Sequence, residues 1–312
     1  MKTLAGLLLK DIVDCFDLEI LNTGVLLDCC VEVADINRPG LVLAGYLQYF
    51  DQARIQLIGK TEISFLISLG QQMADERWRN FVNLSFPALI ITHGMELPAG
   101  LQDIADSRRL PVLRTSIPTT RFMAKLTDYL EQNLAPNTTI HGVLVDVHGI
   151  GTLIIGESGV GKSESALELI RRGHRLVADD AVEVMLNSED VLIGSAPEML
   201  RHIMEIRGLG ILNIKALFGI GAIRPRQKIQ LVIRLEEWQQ GKDYDRLGID
   251  EQQYEILGVG LICKTIPVKP GRNLSNIIEV AAMNYRLKGL GYDAAEQFIE
   301  KQRLYCLTDH QD

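Results

Sequence analysis

The sequence predicts an α/β protein in two parts: a small N-terminal α/β domain over residues 1–130, a linker over 131–139, and a second α/β domain over 140–312 that ends in helices. Three observations carry this. The chain has 312 residues, which suits two domains better than one. Short apolar runs bounded by turn residues alternate with stretches of helical spacing, as in layered α/β folds. Between residues 150 and 173 an apolar strand pattern runs through a glycine-rich stretch into an amphipathic helix.

In the first part, VLLDCCVEVAD (25–35) reads as a strand leading to INRPGLVLAGYLQYF (36–50), where Pro39-Gly40 marks a turn. ALIITHG (88–94) and LPVLRTS (110–116) are strand-like, and LQDIADSRR (101–109) between them has helical spacing. A helix through FMAKLTDYLEQNL (122–134) meets the polar APNTT, the expected domain boundary. The second part opens with IHGVLVDVHGIGTLIIG (140–156), a hairpin turning at Gly149. ESALELIRRG (164–173) is the following helix with Gly173 at C′. HRLVADDAVEVM (174–185) is the next strand. Helical periodicity returns in NLSNIIEVAAMNYRLKG (273–289) and DAAEQFIEKQRLYCL (293–307), the latter started by Asp293 with Glu296 three residues on.

Composition excludes several classes. Net charge is −8, divided equally between residues 1–134 and 135–312, which argues against nucleic acid as the main partner. Cys15, Cys29, Cys30, Cys263 and Cys306 are odd in number and form no C-x-x-C pair, so neither a disulfide framework nor a zinc site is indicated. The apolar run before Lys10 and Asp11 is too short for a secretory signal, and no run is long enough to cross a bilayer. A cytoplasmic protein without membrane association is expected.

The chemistry is concentrated in GESGVGKSE. Gly156, Gly161, Lys162 and Ser163 satisfy G-x-x-x-x-G-K-[ST], with LIIG before and a helix after. Successive backbone N–H groups of Gly156, Glu157, Ser158, Gly159, Val160 and Gly161 would cradle a polyphosphate at a helix N-terminus. Lys162 would reach the terminal phosphates and the Ser163 hydroxyl would ligate Mg²⁺. Asp179 and Asp180 stand at the end of RLVADD, one helix-length after Lys162. While that backbone stays extended, only one of them faces the phosphates, and the two carboxylates take different jobs. No N-K-x-D string for guanine occurs. The residues by themselves point to a compact kinase-like domain, with an ATPase second.

Six strings, INRPGLVLAGY (36–46), HGVLVDVHGIG (141–151), GESGVGKSE (156–164), VADD (177–180), MEIRGLGIL (204–212) and PVKPGRN (267–273), occur in the order found in the HPr kinase/phosphorylase family. The resemblance covers nearly the whole chain. It implies a P-loop kinase that phosphorylates a serine of the phosphocarrier protein HPr with ATP, or alternatively with pyrophosphate, and Mg²⁺. It further implies removal of that phosphate with inorganic phosphate, yielding pyrophosphate, in the control of carbon catabolite repression and sugar uptake. On the matching positions, Ser163 and Glu205 contact Mg²⁺ and Asp180 takes and returns the serine proton. His141 and Arg246 match further active-site positions, and Pro267, Val268, Lys269, Pro270, Gly271 and Arg272 match a loop tied to dephosphorylation. Homohexameric assembly is likewise implied. The alternatives are a kinase of the same architecture with another protein substrate, and a nucleotide-sensing regulatory module. The N-terminal domain carries no chemical constellation.

Overall fold

The computed structural model describes residues 6–22, 25–98, 100–187, 189–242, 244 and 252–308, with side chains through residue 301. Contacts divide the chain into two compact units, 1–135 and 136–312.

The first unit is built on a five-stranded sheet. Strands Ile36–Asn37, Ile55–Ile58, Leu89–Ile91 and Val112–Arg114 run parallel, and Glu19–Ile20 pairs antiparallel with the last of these. Leu57, Ile90 and Leu113 alternate with Ile58, Leu89 and Val112 to bury both faces, as parallel strands must. One face packs against Trp78, Phe81 and Leu101. The other packs against Leu9 and Ile12 and against Phe122, Leu126 and Leu130 of helix Thr119–Leu134. The run 25–35 departs from expectation: only Cys30–Val31 form a strand, because their partner Leu7–Leu8 offers just two residues to pair with.

Helix Thr119–Leu134 runs well into the segment 131–139, and only Ala135 and Pro136 separate it from strand Asn137–His141. That segment is therefore largely regular structure. In the second unit a mixed sheet runs in the order 175–178, 143–147, 150–156, 226–237, 192–195, 181–186 and 137–141. Strand Val259–Val268 also joins 226–237 in parallel. Helices Lys162–Arg171 and Leu274–Gly289 cover one face through Ala166, Leu169, Ile278 and Ala282.

The hairpin at 143–156 turns through His148 at φ 51° and Gly149 at φ 88°, two left-handed residues that match the twist of the flanking strands. Asp146 Oδ1 accepts from Gly149 N at 2.8 Å and fixes the turn. Gly173 closes the helix after it with a Schellman pair: Gly173 N donates to Ile170 O and His174 N to Leu169 O. Asp293 caps the last helix, accepting from Ala295 N at 2.9 Å. None of the helices among the described residues is long and apolar enough to cross a membrane.

Gly151 lies where strands 150–156 and 226–237 shift register, and a Cβ there would run into the carbonyl oxygen of Lys228. Gly151→Ala is expected to destabilise the second unit by about 2–3 kcal/mol through overpacking. A lower urea midpoint for the transition of that unit checks this.

Candidate active site

The second unit delivers strand Ile150–Gly156 into the loop and the loop into helix Lys162–Arg171. Gly156 stands against the carbonyl of Leu235 on the neighbouring strand, too close for any Cβ. Gly161, at φ 98°, makes the left-handed step into the helix that side-chain-bearing residues rarely adopt. Between them Glu157, Ser158 and Gly159 are exposed, while Val160 plugs into the core and anchors the loop. The first-turn N–H groups of the following helix have no intrahelical acceptor, so they are donors for an anion. Lys162 lies across the loop, its Nζ donating to Gly156 O and Glu157 O at 2.9 Å each.

The two aspartates do not obey strand alternation. The expected single strand 174–185 is broken into Arg175–Ala178 and Ala181–Leu186, and Asp180 sits between them at φ 66°. That left-handed step reverses the alternation, so both Asp179 and Asp180 line the same polar cavity as Ser163. The kink is held by Ala181 N donating to Asp179 O and by Gly142 N donating to Asp180 O.

The environments of the two carboxylates differ. Asp179 is 3% exposed. Its Oδ1 accepts from Ser163 Oγ at 2.8 Å and its Oδ2 from Glu205 N at 3.1 Å. Burial pushes its carboxyl above the ordinary 3.8, with the hydrogen bonds from Ser163 and from Glu205 N pulling the other way. Asp180 is 63% exposed and reaches His141 Nδ1 at 3.1 Å. His141 ends strand 137–141, directly opposite Ala181 in the ladder, which brings it to the mouth of the loop. The cavity measures about 110 Å³, well below a drug-sized site, so it suits a phosphoryl group with the nucleoside outside.

Between the ordinary value and the raised one, folded Asp179 holds more proton than the unfolded chain does. Its contribution to stability therefore falls as pH rises through that window. Without metal ions, Asp179→Asn is expected to gain stability relative to wild type as pH rises above about 4, and to lose that gain below it. Urea titrations of both proteins across the window check the sign.

Glu205 is exposed on strand Ile203–Ile206 and faces the same cavity. Arg207, two residues on, was not singled out from the sequence, although it lies within the MEIRGLGIL string. Its Nη2 donates to Ser158 Oγ at 3.0 Å, and its Nη1 lies 2.7 Å from where a Cβ on Gly159 would be. Of the aspartate pair, expected to divide between a Mg²⁺-shell job and a base job, Asp179 is the buried one tied to Ser163. Arg246 lies outside the described residues.

The stretch 267–272 is not brought into this cavity. Pro267 and Val268 end strand Val259–Val268, and Arg272 Nη1 donates to Pro267 O at 3.1 Å. Lys269 Nζ stands 3.3 Å from the centroid of the Trp238 ring, and Gly271 takes the left-handed turn at φ 81° after Pro270. Pro267 and Arg272 instead line a cavity of about 740 Å³ beside helix Leu274–Gly289.

A glycine loop at the end of a buried strand, feeding a helix and faced by a hydroxyl and paired carboxylates, defines the second unit as a P-loop phosphotransfer domain. The family described as HPr Serine kinase N terminus matches residues 7–130, and that described as HPr Serine kinase C-terminal domain matches residues 132–302. The chain belongs to the HPr serine kinase family. It is 51% identical over 292 residues to the HPr kinase/phosphorylase of Bacillus licheniformis and 50% identical over 292 residues to that of Bacillus pumilus, covering 94% of both chains each time. The solved structure of the HPr(Ser) kinase/phosphatase from Coxiella burnetii is 36% identical, covering 52% of this chain and 98% of its own at a TM-score of 0.47.

Proposed function

We propose that this chain phosphorylates a serine of HPr from ATP and also removes that phosphate, using inorganic phosphate and releasing pyrophosphate. The observation that carries the reading is the convergence of Ser163, Asp179, Asp180, His141 and Glu205 on one small anion-sized cavity at the loop. A nucleotide sensor needs the cradle but not the exposed second carboxylate at its mouth.

In the forward direction the loop N–H groups and Lys162 hold the β- and γ-phosphates of ATP. The serine Oγ attacks the γ-phosphorus, the bond to the β-bridging oxygen breaks and ADP leaves, while the serine proton passes to Asp180. In reverse, an oxygen of inorganic phosphate in the same cradle attacks the phosphoserine phosphorus. The serine Oγ departs with a proton from Asp180, the proton of the attacking hydrogen phosphate replaces it on Asp180, and pyrophosphate leaves. His141, whose Nδ1 lies 3.1 Å from Asp180, orients that carboxylate. Arg207, already on the loop, is placed to meet phosphoryl oxygens with its planar fork.

Ser163, Asp179 and Glu205, which line the cavity, offer oxygen donors, and one of them is a buried carboxylate whose ionised form burial disfavours. Both features fit a hard divalent cation, so Ser163, Asp179 and Glu205 would hold Mg²⁺. When bound, Mg²⁺ neutralises charge developing on the transferring phosphate. Action in the cytoplasm fits the substrate HPr. Assembly as a homohexamer fits the exposed Leu209, Ile211, Leu217 and Ile220, which offer apolar area for a neighbouring copy.

The test is purified chain with HPr, Mg²⁺ and labelled ATP, followed by phospho-HPr with inorganic phosphate. Label on an HPr serine, then phosphate-dependent release as pyrophosphate, is the expected result. Tight ATP binding with no transfer in either direction would sink the reading.

A further inference from the structure

A second cluster of ligand-bearing side chains sits at the far end of the loop helix, away from the cavity. His148 occupies the hairpin turn, His174 follows the Schellman close of the helix, and Glu279 projects from helix Leu274–Gly289. Their donor atoms all lie within 4.8 Å of one another. Glu279 Oε1 is 3.2 Å from His148 Nε2 and 3.2 Å from His174 Nε2, and the two rings meet edge to face at 4.5 Å between centroids.

Two features set this cluster apart from an ordinary hydrogen-bonded patch. His174 is 5% exposed, and its Nε2 lies within reach of Glu279 but out of line for a hydrogen bond. It is the buried side-chain nitrogen without a hydrogen-bond partner among the described residues. Such a group costs free energy and calls for a partner. The other oxygen of Glu279 is already engaged: Arg172 Nη1 donates to Oε2 at 3.2 Å, and Arg172 is itself held by Glu168 and Asn276. Glu279 is thus turned so that Oε1 alone faces the two imidazoles.

We propose that His148, His174 and Glu279 bind one divalent first-row ion of the Zn²⁺ type, separate from the hard-cation position at the loop. A tetrahedral ion with bonds of about 2.0–2.1 Å sets neighbouring ligand atoms roughly 3.3 Å apart. Both imidazole–carboxylate separations already match that edge. Two imidazoles and one carboxylate favour Zn²⁺ over Mg²⁺, which prefers oxygen donors and keeps its waters. The Arg172 contact is the outer-shell support that fixes a ligating carboxylate. His148 is 41% exposed, which leaves an entry path and a fourth position for water. The ion joins the hairpin turn, the end of the loop helix and the helix that begins just past residues 267–272. It is a clamp between elements that flank the phosphate loop.

Co²⁺ is the probe, added to the full chain after chelation and desalting. One equivalent is expected to give the strong visible absorption of four-coordinate Co²⁺ without a thiolate charge-transfer band. Zn²⁺ should displace it and excess Mg²⁺ should not. His148→Ala and Glu279→Gln should each weaken it by at least about tenfold. His148 is exposed and outside the catalytic residues, so its variant is expected to fold and to bind ATP normally. The proposal is overturned by a six-coordinate spectrum only, by a sulfur band, or by binding that His148→Ala leaves unchanged.

Discussion

Asp180→Asn is expected to slow phosphoryl transfer to the HPr serine by about 10²–10⁴-fold, the usual worth of a general base, with nucleotide affinity nearly unchanged. Asp180 bonds to none of the loop atoms; its side-chain partner is His141, and its carbonyl is held by Gly142 N. An amide is nearly isosteric with the carboxylate and keeps the left-handed backbone that asparagine tolerates well. The cradle should therefore survive while the proton acceptor is lost. The phosphorylase direction should fall as well, because the same group gives the departing serine its proton. Nucleotide binding by titration calorimetry, beside single-turnover rates in both directions, gives the answer. A variant that still phosphorylates HPr at a near-normal rate would show that Asp180 is not the base.

Lys162→Ala is expected to act on the other half of the site. Lys162 is 7% exposed and its ammonium bridges two loop carbonyls, so it both braces the loop and supplies its strongest positive charge. Losing one charge-assisted contact of about 3 kcal/mol lowers ATP affinity by roughly 100-fold. Inorganic phosphate should bind correspondingly less well, since both anions use one cradle. Both reactions then collapse together with binding, which separates this variant from Asp180→Asn. Unchanged ATP affinity in Lys162→Ala would mean that the backbone donors alone carry recognition.

Much of this site was readable from the chain because its logic is local. A glycine loop, a lysine and a serine within eight positions dictate the turn, the helix start and the anion donors, wherever the rest of the chain goes. The hairpin at Gly149, the helix end at Gly173 and the cap at Asp293 are local in the same way. What failed was what depends on distant partners. Strand alternation put Asp179 and Asp180 on opposite faces, but the left-handed Asp180 is stabilised by Gly142, some forty residues earlier in the chain, and that bond turns both carboxylates into one cavity. The apolar run 25–35 looked like a strand, yet a strand exists only as far as its partner does.

The amino-acid order alone dictated the two-part α/β plan, the phosphate loop and the set of strings that mark the family. It did so because glycine placement, side-chain periodicity and short motifs act over a single turn of chain. The three-dimensional fold settled that Asp179 is the buried carboxylate tied to Ser163 and Glu205, and that Arg207 reaches back onto the loop. It alone decided that residues 267–272 lie outside the cavity and that His148, His174 and Glu279 converge. Each of these joins elements from separate strands and helices, and packing of the shared core, not any local pattern, sets those distances.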